Sequence, residues 1–250
     1  MNAAIRLVDA ARTDVGKRRH DNQDDYLADQ ARGLFAVADG MGGLENGKLA
    51  SHTVVECLGD VRLGGDFNAD ALAVAEAMHE ANRRIWDLAE KSGQMGSTVV
   101  ALLIEAQRFA VLWAGDCRAY LLRRGALHQL SHDHTQVQDM VDRGLLSAAE
   151  AVGHPMGHVV SRAVGVEPSV EVDGIVDTAE VGDVFLLCCD GLHGVVGDGE
   201  IAAVLGDLRP APACDRLLAL ALERGAPDNV TLVVIACDQA TLQSKPAKAS

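Results

Sequence analysis

The chain has 250 residues, 48% of them hydrophobic, with 36 acidic against 22 basic side chains and a net charge of −14. That is ample apolar material for one large core, and an acidic balance with no basic run longer than Lys17-Arg18-Arg19 argues against a nucleic-acid surface. The longest apolar runs, 99–104 and 184–189, fall far short of the about 20 residues that span a bilayer, and residues 1–9 lack a signal-peptide core, so no membrane insertion and a cytoplasmic location are expected.

Residues 5–10 form the first expected strand. Residues 13–25 follow as a polar loop dense in both charge signs. Within it Arg19 can present a planar fork of donors to a phosphate, and Asp24 or Asp25 can reach a cation or its water shell; a merely solvated loop is the alternative. Residues 34–38, Leu-Phe-Ala-Val-Ala, read as a strand buried on both faces that stops at Asp39. Gly40, Gly42 and Gly43 follow, residues that tolerate positive φ and close backbone approach. A carboxylate ending a buried strand in so bare a loop must be paired or hold a cation, unless it is a solvated strand-to-helix turn.

Two amphipathic helices are expected next. Residues 45–58 place Leu49, Thr53 or Val54, and Cys57 on one side, and residues 69–91 place Leu72, Ala75, Met78, Ile85 and Leu88 in a second stripe. Three strands follow at 98–105, 109–114 and 118–123. Their links, 106–108 and 115–117, have hairpin lengths, and Arg124-Gly125 turns into a weaker fourth strand. From 131 to 162 the pattern changes: four histidines (His132, His134, His154, His158) surround a short helix at 137–143. Their spacing fits no common zinc template, so loop or surface histidines in a mobile or substrate-facing segment are expected. Strands at 170–176 and 184–189 come next, the second ending in Asp190-Gly191-Leu192. Helices at 199–205 and 213–224, a strand at 230–237 introduced by Asp228-Asn229, and a fraying tail at 239–250 complete the chain. The six cysteines, Cys57, Cys117, Cys188, Cys189, Cys214 and Cys237, show no C-x-x-C spacing and read as reduced core thiols.

Asp39 and Asp190 close apolar strands, Asp116 sits in a link, and Asp228 opens a strand. In an antiparallel sheet the end of one strand lies beside the start of its neighbour, so all four can gather at one edge. Several carboxylates there repel one another unless divalent cations sit among them, and all-oxygen donors favour magnesium, manganese or calcium over zinc. A pair of such ions suits hydrolysis of a phosphate ester.

The ordered set Arg19 with Asn22-Gln23-Asp24, Val37-Ala38-Asp39-Gly40-Met41-Gly42-Gly43, Gly96-Ser97-Thr98, Gly115-Asp116-Cys117-Arg118, Cys189-Asp190-Gly191-Leu192 and Asp228-Asn229-Val230-Thr231 resembles the bacterial metal-dependent protein phosphatases of the 2C type over nearly the whole chain. The resemblance implies an α+β fold, a four-layer αββα sandwich of two antiparallel sheets flanked by helices, as a single domain over 1–238 with a flap at 131–162. It implies a serine/threonine phosphatase acting on phosphorylated proteins by attack of a water or hydroxide bridging two Mn2+ or Mg2+ ions. Asp39, the carbonyl of Gly40, Asp190 and Asp228 correspond to the metal ligands, Asp24 to one acting through water, Arg19 to the phosphate-binding arginine and Asp116 to the ligand of a third ion.

Four departures stand out. Gln23 replaces a usual Glu, Met41 a histidine of many eukaryotic members, Cys117 a usual Ser, and Gly194 an Asp that helps hold the third ion, where His193 is a partial substitute. A monomer is expected, with an opposing bacterial Ser/Thr kinase and that kinase's targets as partners. Two other functions stay open: a catalytically weak phosphoprotein-binding module, and a hydrolase of small phosphorylated metabolites.

Overall fold

The computed structural model describes residues 4–151 and 153–240. In chain order the elements are β1 (Ile5–Asp14), β2 (Asp24–Asp29), β3 (Leu34–Met41), α1 (Leu44–Gly59), α2 (Phe67–Ser92), β4 (Gly96–Glu105), β5 (Arg108–Ala114), β6 (Arg118–Arg123), β7 (Ala126–Gln129), α3 (Gln136–Asp142), α4 (Ala148–Ala151), β8 (Asp173–Thr178), β9 (Val184–Cys188), α5 (Asp190–His193), α6 (Asp198–Asp207), α7 (Pro210–Glu223) and β10 (Val230–Gln239). They make two five-stranded sheets, ordered β1-β10-β9-β6-β7 and β2-β3-β4-β5-β8. Every neighbouring pair is antiparallel.

Period-two alternation explains the layers. On β4, Val99, Ala101 and Leu103 pack with Val54, Met78 and Ile85 of α1 and α2, while Val100, Leu102 and Ile104 pack with Phe185, Leu187 and Val233 of the other sheet. Leu186, Val234 and Leu232 face Leu192, Ile201 and Leu217 of α5, α6 and α7. The result is the four-layer order helix, sheet, sheet, helix. Each fully buried side chain such as Phe35 or Phe185 contributes about 2 kcal/mol through removal of apolar surface from water.

The same alternation aims the strand ends. Phe35 and Val37 of β3 lie in the layer between the sheets, so Asp39, two residues on, falls on that side at the sandwich rim. Phe185, Leu187 and Cys189 do the same in the second sheet, and Asp190 follows directly.

Several expectations need correction. The strand does not stop at Asp39: β3 continues through Gly40 to Met41, paired with β4 as Asp39↔Thr98 and Met41↔Gly96. β1 reaches Asp14, and β2, expected as loop, pairs with β3 from Asp24↔Asp39 to Asp29↔Leu34. As an edge strand with acidic ends it carries no buried apolar run. The 115–117 link is not a hairpin, since β5 pairs with β4 and β8 whereas β6 pairs with β7 and β9; it crosses between the sheets. Leu72 is 69% exposed and Leu49 40%, because Val74, Ala77 and Ala81, with Thr53 and Val54, carry the buried faces instead. β8 begins at Asp173, and Val170 is buried ahead of it. The tail does not loosen at 239: Gln239 lies opposite Ile5 and the Ala240 N–H donates to the Ala4 carbonyl, while 241–250 lie outside the described residues. All six cysteines are free and buried. No helix among the described residues is long and apolar enough to cross a membrane.

Candidate active site

One end of the sandwich opens into a cleft of about 690 Å³ lined by Arg19, Gln23, Asp39 to Gly43, Thr98, Asp116, His158 to Val160, Asp190, Asp228 and Asn229. One sheet contributes the start of β2, the end of β3 and the start of β4; the other contributes the end of β9 and the start of β10. The acidic residues singled out along the chain are thus brought to one rim, except Asp25. Its side chain lies on the other face of β2, where it meets His52 Nδ1 at 2.9 Å.

Both glycines that follow the floor carboxylates serve close backbone approach. A Cβ on Gly40 would overlap the Gly47 carbonyl of α1, and one on Gly191 would overlap the Asn229 carbonyl. The first presses the strand end onto a helix and the second presses α5 onto the start of β10.

Asp24 and Asp116 are buried, and Asp39 and Asp190 stand deep at the floor with a partly exposed edge toward the cleft. Asp39 is directly opposite Asp24 across the strand pair, a like-charge placement that costs stability when both are ionised. Burial first, and the neighbouring carboxylates second, push Asp39 well above the ordinary carboxylate range. Asp24 is pushed up to about 7 by burial, opposed by Thr231 and Cys189 and reinforced by Asp190 and Asp228. Burial, Asp190 and Asp133 push Asp116 to about 7, and burial with Asp228 pushes Asp190 to about 6 against the pull of Arg19.

The unpartnered atoms are the decisive observation. Both carboxylate oxygens of Asp24 and Oδ1 of Asp190 are buried without a hydrogen bond. Thr231 and the Cys189 thiol stand near enough to Asp24 to favour its charge, but not in hydrogen-bonding geometry. Buried carboxylate oxygens without donors either take up protons or face a cation. The donors available are all oxygen, which suits magnesium or manganese, so the residues fit a divalent centre. Among the described residues no three acidic, histidine or cysteine side chains close on one point, so any ion here would draw part of its shell from backbone carbonyl and water.

Arg19 is the one arginine or lysine among the described residues lining this cleft. Half-exposed, it donates from Nη2 to Asp228 Oδ2 at 2.6 Å. Asn229, a neighbour not singled out along the sequence, donates its backbone N–H to Asp228 Oδ1 at 2.8 Å. The Asn229 Oδ1 accepts the Gln23 N–H at 2.8 Å, and its amide donates to the Val15 carbonyl at 2.9 Å and the Asp21 carbonyl at 3.0 Å. One side chain thereby ties the 15–23 loop, with Arg19 on it, to the strand that follows Asp228. The Asp-Asn pair before a strand was the available signal.

His193, expected as a partial substitute at the third position, is half-buried, and its Nε2 donates to the Asp116 backbone carbonyl at 3.0 Å; burial lowers its pKa to about 4. The histidines of the 131–162 segment divide: His132 is exposed beside Asp142 and His158 lines the cleft, whereas His134 lies in a loop, as expected, but is buried there. A second hollow, about 530 Å³ between α1 and α2, is lined by Glu80, Arg83 and Arg84, which pair with one another.

Comparison with known proteins places this geometry in context. The family model described as Protein phosphatase 2C matches residues 8–139. The serine/threonine protein phosphatase PstP of Mycobacterium tuberculosis is 39% identical over 231 residues, covering 90% of this chain and 44% of that protein. This chain therefore spans less than half the length of that relative. The serine/threonine phosphatase stp of Listeria innocua is 33% identical over 239 residues, covering 90% of this chain and 93% of the relative. A crystal structure of the catalytic domain of PstP in complex with two manganese ions superposes with a TM-score of 0.83 at 36% identity, covering 94% of this chain and 99% of that one.

Proposed function

The chain belongs to the protein phosphatase 2C family, and from that premise we propose that it hydrolyses phosphoserine and phosphothreonine esters in proteins, using two divalent cations, Mn2+ or Mg2+. Asp39, the carbonyl of Gly40, Asp190 and Asp228 would hold the two ions, Asp24 would act through water, and Asp116 would serve a third. The reading includes a cytoplasmic monomer that opposes a Ser/Thr kinase. The observation that carries it is the set of unpartnered buried oxygens on Asp24 and Asp190 in a cleft that also holds a half-exposed arginine.

The chemistry a divalent pair supplies in such a seat is neutralisation of phosphate charge and acidification of water. The chain's own residues do the rest. Arg19 spends one nitrogen on Asp228, and the remainder of its planar fork suits two phosphate oxygens. Asn229 sets the distance between the loop carrying Arg19 and Asp228. Asp24, buried opposite Asp39, would add negative charge beneath the floor once cations are bound, and Gly40 and Gly191 let the rim's backbone press against α1 and the start of β10. The apolar layer behind the floor lowers the local dielectric, so each of these charges acts strongly.

The test is metal-stripped protein assayed on p-nitrophenyl phosphate and a phosphothreonine peptide. Manganese should restore hydrolysis of both, and Asp39→Ala or Asp190→Ala should lower it by about a thousandfold or more. Full activity in either variant, or none in the manganese-loaded chain, would overturn the reading. Faster turnover of small phosphorylated metabolites than of phosphopeptides would redirect it to the metabolite class.

A further inference from the structure

We propose that His134 is a positioning residue for this site: its ring holds the loop that carries Asp116 in register with the returning end of the 131–162 segment. The proposal rests on the phosphatase reading for its kinetic test but not for its spectroscopic one.

Gly115 precedes Asp116 at the point where the chain crosses between the sheets. Its φ is +118, and a Cβ there would overlap the Thr98 side chain, so the backbone is pressed against β4 in a conformation that suits glycine. No strand takes its amide. The Gly115 N–H donates instead to His134 Nδ1 at 3.0 Å, while the His134 N–H donates back to the Gly115 carbonyl at 3.0 Å. His134 is 6% exposed and its ring stacks on Trp113 at 6.3 Å between centroids, whose Nε1 donates to the His132 carbonyl at 2.8 Å.

The other side of the same residue grips the returning segment. Ser161 N–H donates to the His134 carbonyl at 2.8 Å and Gln136 N–H to the Val159 carbonyl at 2.9 Å, with Thr135 bridged to Val160. Val159 and Val160 line the cleft, as Asp116 does. Two of its walls therefore meet at His134.

The ring's tautomer follows from its partners. Because Nδ1 accepts from Gly115, the proton of the neutral ring sits on Nε2, which donates to Asp173 Oδ2 at 3.1 Å. Arg162 Nη1 lies 3.2 Å from the same nitrogen, with a shorter bond of 2.8 Å to Asp173 Oδ1. Asp173 and Arg162 thus orient the imidazole whose far nitrogen fixes Gly115. Without the ring, a buried N–H loses its acceptor and the adjoining carboxylate loses its register, a displacement of the kind that costs catalysis far more than binding.

The experiment compares His134→Ala, His134→Asn and His134→Gln with the wild-type chain. Asn places an acceptor where Nδ1 stood, and Gln reaches only toward Asp173. With p-nitrophenyl phosphate and saturating manganese, His134→Ala and His134→Gln should lose about tenfold or more in kcat with KM within about twofold, and His134→Asn should recover most of it. In metal-free protein the Gly115 amide should be protected from hydrogen exchange in the wild type and in His134→Asn, and about tenfold less so in His134→Gln; nitrogen-15 spectra of the wild-type ring should show the proton on Nε2. Equal recovery by Gln and Asn, unchanged Gly115 protection in His134→Gln, or a proton on Nδ1 would overturn the proposal. Should His134→Ala fail to fold, the Asn and Gln pair and the wild-type ring spectrum still decide it. A wild-type chain that hydrolyses neither substrate would sink the phosphatase reading and leave the exchange and ring data to judge His134.

Discussion

The layer between the two sheets holds two contrasting regions. Along most of its length it is closed by Phe35, Val37, Val100, Phe109, Phe185 and Val233, and every surface there is satisfied by packing. At one end the same alternation that delivers Phe35 and Val37 delivers Asp39, and carboxylates replace the apolar side chains. The apolar stretch works by excluding water, and that exclusion is what makes the rim electrostatically costly: burial leads the causes that raise Asp24, Asp39, Asp116 and Asp190. A charged rim on a dry interior is unstable by itself and well suited to hold cations.

The contrast can be broken at the rim's backbone. Gly40→Ala and Gly191→Ala, which thrust a Cβ onto the Gly47 and Asn229 carbonyls, should each cost about 2–3 kcal/mol in urea unfolding, whereas Gly43→Ala, with open space around its Cβ, should cost less despite its φ of +86. Equal losses at all three would show that close approach is not what those glycines supply.

The charge itself is next in size. Native carboxylates with raised pKa hold protons that the unfolded chain has released, so the metal-free protein should lose stability as pH climbs from the ordinary carboxylate range through about 7, where Asp24 and Asp116 ionise. Asp190, raised from 3.8 to about 6, should account for on the order of 3 kcal/mol of that loss, so Asp190→Asn should flatten the stability profile between about pH 4 and about pH 6. Added manganese should flatten it too. A metal-free chain whose denaturation midpoint rises over that interval would contradict the assignment of the rim as frustrated.

Arg19 gives the smallest and most local effect. Arg19→Ala should raise KM for p-nitrophenyl phosphate about tenfold with little change in manganese affinity, because it touches the rim through one exposed bond to Asp228. An unchanged KM would leave it as a mere counter-ion of Asp228.

Much of this was readable along the chain. Apolar runs bounded by Asp-Gly at 39–40 and 190–191, with Asp116 and Asp228 at strand boundaries, already pointed to one acidic edge. Yet the two Asp-Gly pairs sit in different structures: Asp39 lies inside β3, and Asp190 begins α5. The shared sequence reports a shared need for close backbone approach, which both glycines meet. β2 was not legible because a half-buried edge strand with acidic ends lacks the apolar run that marks an interior one. The 115–117 crossover was not legible because three residues are as short as a hairpin link, and only the partners of β6 reveal that it changes sheets.

The order of residue types along the chain determined the layered architecture and the acidic rim, because burial with period two is a local property of each strand. Tertiary structure alone decided that Asn229 binds the 15–23 loop, that His193 turns to a backbone carbonyl, and that His134 takes the Gly115 amide. Those contacts join residues far apart in sequence, and a side chain's donor or acceptor has no partner until folding brings one to it.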